Sequence, residues 1–146
     1  MGYKEHIAGA LDDINYVRMV TKYNGKFVLP FHNESQKWDW VGGHVEKDEN
    51  PLDAAKRELF EETGAVDFDI FPVFDHEALN KDGTHFNNGR TYFVVVREFS
   101  DLPDDSEMGK IGFFDKIPDG FRYSGDKEAH TEFFKRIEKF ASAHFI

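Results

Sequence analysis

The stretch that most limits what this chain can become runs from Asn50 to Gly64, Asn-Pro-Leu-Asp-Ala-Ala-Lys-Arg-Glu-Leu-Phe-Glu-Glu-Thr-Gly. It predicts a helix with explicit ends. Asn50 suits the N-cap, because its side-chain oxygen can accept from an otherwise unpaired backbone N–H. Pro51 falls at the first helical position, where a missing N–H removes nothing. Gly64 supplies the left-handed residue that commonly closes a helix. Leu52, Ala55 and Leu59 recur at helical spacing and are expected to face a core. The opposite side is unusual. Glu58, Glu61 and Glu62 stand at i, i+3 and i+4, within about 100° of arc, and like charges so placed repel by roughly 0.2–0.5 kcal/mol per pair. Three neighbouring glutamates are most often a solvated acidic face. A divalent cation removes the repulsion, however, and hard Mg2+ prefers carboxylate oxygens, retained water and phosphate.

The spacing around the glutamates decides between these readings. Gly43 is followed after five residues by Glu49, after seven more by Arg57-Glu58-Leu59, then by Glu61-Glu62 and Gly64-Ala65. This pattern resembles the signature of the Nudix hydrolase family at every fixed position. At average residue usage such a coincidence arises by chance on the order of once in a million. Two positions differ from the common form: Ala65 is smaller than the usual aliphatic residue, and Val41-Gly42-Gly43 lacks the proline that often precedes the glycine pair.

The resemblance implies an α/β fold, a Nudix-like α/β/α sandwich with a mixed β-sheet flanked by helices. It implies hydrolysis of a diphosphate bond in a nucleoside diphosphate linked to another group, with Mg2+ as cofactor and Mn2+ as a substitute. Carried over residue by residue, it makes Glu61 and Glu62 metal ligands, and Glu58 either a ligand or the base that activates water. The carbonyl of Gly42 joins the ligands, and Arg57 pairs with Glu49 to hold the helix against the preceding loop. Glu49, Arg57, Glu58 and Glu61 are thus the expected catalytic set. In this family a carboxylate from the loop corresponding to residues 100–109 often completes the metal shell. Glu107 is the choice here, lying nearest the next strand, with Asp104 and Asp105 as rivals.

At 146 residues the chain is expected to be a single domain, 1–146. Sixteen phenylalanines point to an aromatic-rich core. The absence of cysteine excludes disulfides and thiolate metal sites, and with them the prenyl diphosphate isomerases that share the implied fold but need a catalytic cysteine. A net charge of −10 argues against duplex nucleic acid as partner. It leaves room for a small nucleotide substrate, since metal ions offset charge within a site. No run of about 18 apolar residues exists to span a membrane, and the N-terminus lacks a secretion signal. A cytoplasmic protein is expected, of open oligomeric state.

Along the chain, Asn24-Gly25 between the runs 14–22 and 26–31 predicts a hairpin with a type I′ turn. Residues 1–13 read as an edge strand or a tail. Trp38 to Val41 reads as a short strand delivering Gly42-Gly43 to a turn. Val66 to Phe74 reads as a strand with Pro72 at an edge or bulge. Residues 75–89, rich in turn formers, read as a loop bordering the substrate pocket. Arg90 to Phe99 is expected to be a strand buried on both faces, followed by Lys110 to Phe114. Asp126 to His144 carries Ala129, Phe133, Phe134, Ile137, Phe140 and Ala141 on one stripe, an amphipathic helix packed on a sheet. Phe31, Trp38, Phe86 and Asn88 are candidates for base recognition, equally suited to packing or capping. Packing is favoured over base stacking for Trp38 and Trp40.

The leading functional expectation is a small nucleoside triphosphate pyrophosphohydrolase of the 8-oxo-dGTP type. Compact length, and an Asp115-Lys116-Ile117-Pro118 stretch resembling that class, favour it over the ADP-ribose hydrolases, which commonly add an N-terminal dimerisation segment. The alternatives are an RNA 5′-triphosphate pyrophosphohydrolase, against which the net charge counts, and a non-catalytic nucleotide-binding Nudix sensor, which has no need of mutually repelling glutamates.

Overall fold

Asn24 and Gly25 both adopt positive φ, 49° and 77°, so the hairpin forms as the dipeptide dictates, pairing Lys22 with Phe27 and Tyr23 with Lys26. In the computed structural model, which describes residues 2–101, 108–122 and 127–144, this hairpin is part of a larger mixed sheet. The elements in order are β1 (Gly2–Ile7), β2 (Tyr16–Tyr23), β3 (Lys26–His32), β4 (Lys37–Trp38), β5 (Val41–His44), α1 (Pro51–Thr63), β6 (Ala65–Leu79), β7 (His85–Phe99), β8 (Met108–Phe114) and α2 (Lys127–His144). The sheet runs β1-β6-β7-β2-β3-β4, with β5 also on β2 and β8 on β3. The β2–β7 pair is parallel.

Alternation along β7 places the helices. Tyr92, Val94 and Val96 join the core cluster containing Ala54, Ala55 and Leu59 of α1. Phe93 joins the cluster containing Phe133 and Ile137 of α2. Because successive strand residues point to opposite faces, the sheet lies between the two helices. The expected α/β/α sandwich and the double-sided burial of β7 both hold. On α1 the buried stripe runs through Ala54, Ala55 and Leu59, whereas Leu52, expected to be buried, is 40% exposed in the first turn.

Two stretches differ from expectation. The strand read from Trp38 to Val41 is broken at Asp39 and Trp40, because the Asp39 carboxylate accepts the Trp40 N–H at 2.7 Å and so takes it from the strand ladder. Gly42 and Gly43 consequently lie inside β5, paired with Arg18 and Val17 of β2, not in a turn. The loop read over 75–89 is mostly strand: β6 continues to Leu79 and β7 starts at His85. The cause is distant in sequence, since β1 pairs along residues 74–79 of β6. Asn88 is held by Asn15, its backbone N–H donating to the Asn15 side chain at 3.1 Å and its carbonyl accepting the Asn15 N–H at 2.9 Å. The expected irregularity near Pro72 is present as a register shift between Pro72 and Phe74.

One buried ion pair ties the segment after β1 to the sheet. Asp75 is fully buried; its carboxylate accepts from the Gly9 and Leu11 N–H groups at 3.0 and 3.1 Å and from Arg90 Nε at 2.6 Å. Burial alone would raise this carboxyl, but Arg90 and the two backbone donors outweigh it and hold it below the ordinary carboxylate range. A depressed folded-state pKa stabilises the protein above the unfolded value of about 3.9 and ceases to do so as pH falls through the folded value. Asp75→Asn, which strands Arg90, is expected to cost about 3 kcal/mol at pH 7. The gap in urea midpoint between parent and variant should narrow below about pH 4. A gap that stays constant from pH 7 to pH 3 would contradict this assignment.

Candidate active site

Local signals fix α1 as anticipated. The Asn50 side chain accepts the Asp53 N–H at 2.9 Å, and Gly64, at φ 79°, ends the helix with its N–H on the Phe60 carbonyl at 2.9 Å. So anchored, α1 turns Glu58 and Glu62 toward β5. A Cβ at Gly43 would overlap the Glu58 carboxylate, so glycine here lets that side chain lie against β5. The Gly42 N–H donates to Glu62 Oε1 at 3.1 Å.

The two carboxylates form a couple, one buried and one half-buried. Glu62 is 6% exposed and Glu58 is 14% exposed at its side chain. The two carboxyl groups lie close enough for each to bear on the protonation of the other. Burial is the main cause pushing both upward from the ordinary glutamate range; Glu58 raises Glu62 further, while Arg57 restrains Glu58.

Arg57 organises the other side. It grips Glu49 through two hydrogen bonds, Nε to Oε2 at 2.8 Å and Nη2 to Oε1 at 3.0 Å, and this holds Glu49 below its ordinary range. It also reaches Glu58 at 2.8 Å, Glu61 at 3.2 Å and the His44 carbonyl at 3.2 Å. The Glu49 pair was expected from the family resemblance; the bonds to Glu58 and Glu61 were not. Gly42, Glu49, Arg57, Glu58, Glu61 and Glu62 are therefore brought together. Glu61, 49% exposed at its side chain, accepts from Arg57 at 3.2 Å and adds to the rise of Glu58. Among the described residues no three His, Asp or Glu side chains close into a cation cage as they stand. Glu107, Asp104 and Asp105 lie outside the described residues, as does the Phe86 side chain.

Of the base-recognition candidates, Phe31 and Trp38 pack edge to face at 4.9 Å, beneath the Lys110 ammonium. Trp40 is a core residue, 5% exposed. Sequence reasoning missed Tyr16, Arg18 and Asp39. The Tyr16 ring stands edge-on to His44 at 5.4 Å, with its hydroxyl beside Gly42. Burial raises the pKa of Tyr16, and Asp39, Glu62 and Glu58 add to the rise, against Arg18. The available signal was the alternation of β2, which sets Tyr16, Arg18 and Val20 on one face.

The model of the NUDIX domain matches residues 16–117, from the start of β2 to beyond β8. The chain belongs to the Nudix hydrolase family. A Bacillus subtilis relative named provisionally as an 8-oxo-dGTP diphosphatase, YtkD, is 28% identical over 108 residues, 74% of this chain and 66% of the relative, so just under two thirds of the relative's length is spanned. The Bacillus subtilis pyrophosphohydrolase BsRppH, solved as a point mutant, superposes with a TM-score of 0.81 at 20% identity, over 99% of this chain and 92% of that one. A NUDIX hydrolase from Nitrosomonas europaea gives 0.64 at 20% identity, over 89% and 90%. At these identities the two structures speak for the Nudix fold. Family members generally use divalent metals. Among the described residues of this member, no helix is long and apolar enough to cross a membrane.

Proposed function

We propose that this Nudix domain, taken as a single unit over 1–146, is a Mg2+-dependent nucleoside triphosphate pyrophosphohydrolase acting in the cytoplasm, with an 8-oxo-dGTP-like nucleotide as substrate. The observation that carries the reading is the Glu58–Glu62 couple, set against Gly42 and Gly43 with Arg57 at its flank. Two acidic groups held together out of water are costly unless a proton or a cation lies between them. An all-oxygen donor set suits Mg2+, with Mn2+ as a substitute. Glu58, Glu62, the Gly42 carbonyl, Glu61 released from Arg57, and Glu107 are the groups that would hold it. When bound, the metal neutralises phosphoryl charge and makes water a stronger nucleophile.

The protein's own part is positional. Arg57, clamped by Glu49, fixes the Glu58 carboxylate, which serves as a ligand or takes the proton of the attacking water. Water adds to phosphorus, the anhydride P–O bond breaks, and nucleoside monophosphate and pyrophosphate leave. The 8-oxo-dGTP reading draws on the name of the Bacillus relative. A second reading, attack on a longer 5′-triphosphorylated strand, draws on the Lys110–Phe31–Trp38 surface, where a cation lies over two rings packed edge to face and a further base can pack.

A release assay over nucleoside triphosphates, dinucleotides, nucleotide sugars and 5′-triphosphorylated oligonucleotides, with products identified, tests the proposal. The expected result is monophosphate plus pyrophosphate, fastest from 8-oxo-dGTP. No anhydride cleavage with Mg2+ or Mn2+ across that panel would overturn it in favour of a binding module.

A further inference from the structure

We infer that Arg18 reads the base of the substrate and selects a 6-oxopurine over a 6-aminopurine. The inference rests on the reading above that a nucleotide's phosphates lie at Glu58 and Glu62.

The strand registers place Arg18. It pairs with Thr91 of β7 on one side and with Gly42 of β5 on the other, and Thr91 in turn pairs with Phe74 of β6. Phe74 belongs to the core cluster under α2, so this row presents Phe74, Thr91 and Arg18 to the α2 side of the sheet. The next row carries His76, Gly89 and Tyr16 on the same side. Arg18 is therefore one strand away from the glycine whose N–H holds Glu62. Its guanidinium carbon rises to 5.0 Å from the centre of the Phe133 ring of α2.

The surroundings of Arg18 suit a flat base and not a phosphate. Trp40 is stacked on His130, centroids 5.8 Å apart and planes within 16°, and both rings pack against Phe121. Asp39 shares the electrostatic neighbourhood of Arg18 and repels an anion. Two polar atoms of this layer, Thr91 Oγ1 and Trp40 Nε1, are buried with no hydrogen-bond partner among the described residues; their residues are 0% and 5% exposed. Fully partnered cores rarely tolerate such atoms.

A guanidinium offers only donors, in a planar fork. The 6-oxo group of guanine or hypoxanthine is an acceptor that it can grip, while the 6-amino group of adenine turns N–H toward N–H. The inference thus assigns the chemical class of the base and the residue that distinguishes it.

Calorimetry on the full chain with non-hydrolysable α,β-methylene analogues of GDP, IDP and ADP tests this in Mg2+. The guanine and hypoxanthine analogues are expected to bind about tenfold more tightly than the adenine analogue. Arg18→Lys keeps the charge but loses the fork, and should bring the three within about twofold. Arg18→Gln, whose amide complements adenine, should bring the adenine analogue level or ahead. Melting curves on each variant confirm the fold, and the lysine variant stands if the glutamine variant does not fold. Equal affinities in the parent would overturn the inference. So would variants that weaken all three ligands in proportion, which marks a structural or phosphate-binding role, or an IDP analogue that behaves like ADP. Hydrolysis without base preference sinks this inference and leaves metal-dependent triphosphate hydrolysis at Glu58 and Glu62 standing; base preference without hydrolysis does the reverse.

Discussion

Glu62→Gln is expected to lower kcat/KM by about a thousandfold in saturating Mg2+ while the protein melts no lower than the parent. Glutamine has the same shape and keeps an oxygen for the Gly42 N–H, which Glu62 accepts at 3.1 Å. What disappears is one negative charge from a couple in which burial and the nearby Glu58 already strain the ionised form. Removing that repulsion leaves the metal-free fold as stable or more so. Activity goes the other way. Single groups that stabilise charge in the transition state are each worth roughly 10²–10³ in rate, and a metal ligand also sets the position of the ion and its water. A purely structural Glu62 would give the opposite pairing, parental turnover with altered stability, so rate and melting temperature measured on one preparation separate the two.

A large stability effect is expected two residues further along, where the same helix ends. Gly64→Ala should cost about 3 kcal/mol, read as a lowered urea midpoint with unchanged slope. Two causes add. Gly64 sits at φ 79°, where an L side chain costs roughly 1–2 kcal/mol. A Cβ there would also overlap the Ser100 carbonyl oxygen, and backbone cannot swing aside as a side chain can. The junction is stitched tightly, the Ser100 N–H donating to the Gly64 carbonyl at 2.7 Å. Gly83→Ala is the control: φ is 84°, but nothing lies within 4 Å of a Cβ there, so only the conformational cost of about 1 kcal/mol should appear. Equal losses at the two glycines would show that crowding against Ser100 contributes nothing.

What could be read from the sequence was what local chemistry determines. Asn50, Pro51 and Gly64 define a helix by their own hydrogen-bonding habits, and Asn24-Gly25 defines a turn by its φ preferences. Neither depends on distant residues. The spacing of Glu49, Arg57, Glu58, Glu61 and Glu62 likewise pointed to residues that the fold gathers around Arg57. The failures share a cause. The break at Asp39 depends on where one carboxylate finds a donor, and the length of β6 depends on β1 arriving from the other end of the chain. Arg57 spreads over three glutamates because β5 brings the His44 carbonyl and the Glu49 loop beneath the helix. Alternation along β2 set Arg18 on a face with Tyr16 and Val20, but its neighbours come from β7 lying parallel beside β2 and Gly42 opposite, neither of which a single strand encodes.

Titration of the metal-free protein with Mg2+, and separately with Mn2+, by calorimetry is the most direct measurement. The parent should take up the ion, and Glu62→Gln should bind it at least about tenfold more weakly. Heat of binding absent from the parent, or identical in parent and variant, would contradict the assignment of Glu58 and Glu62 as the seat of a divalent cation.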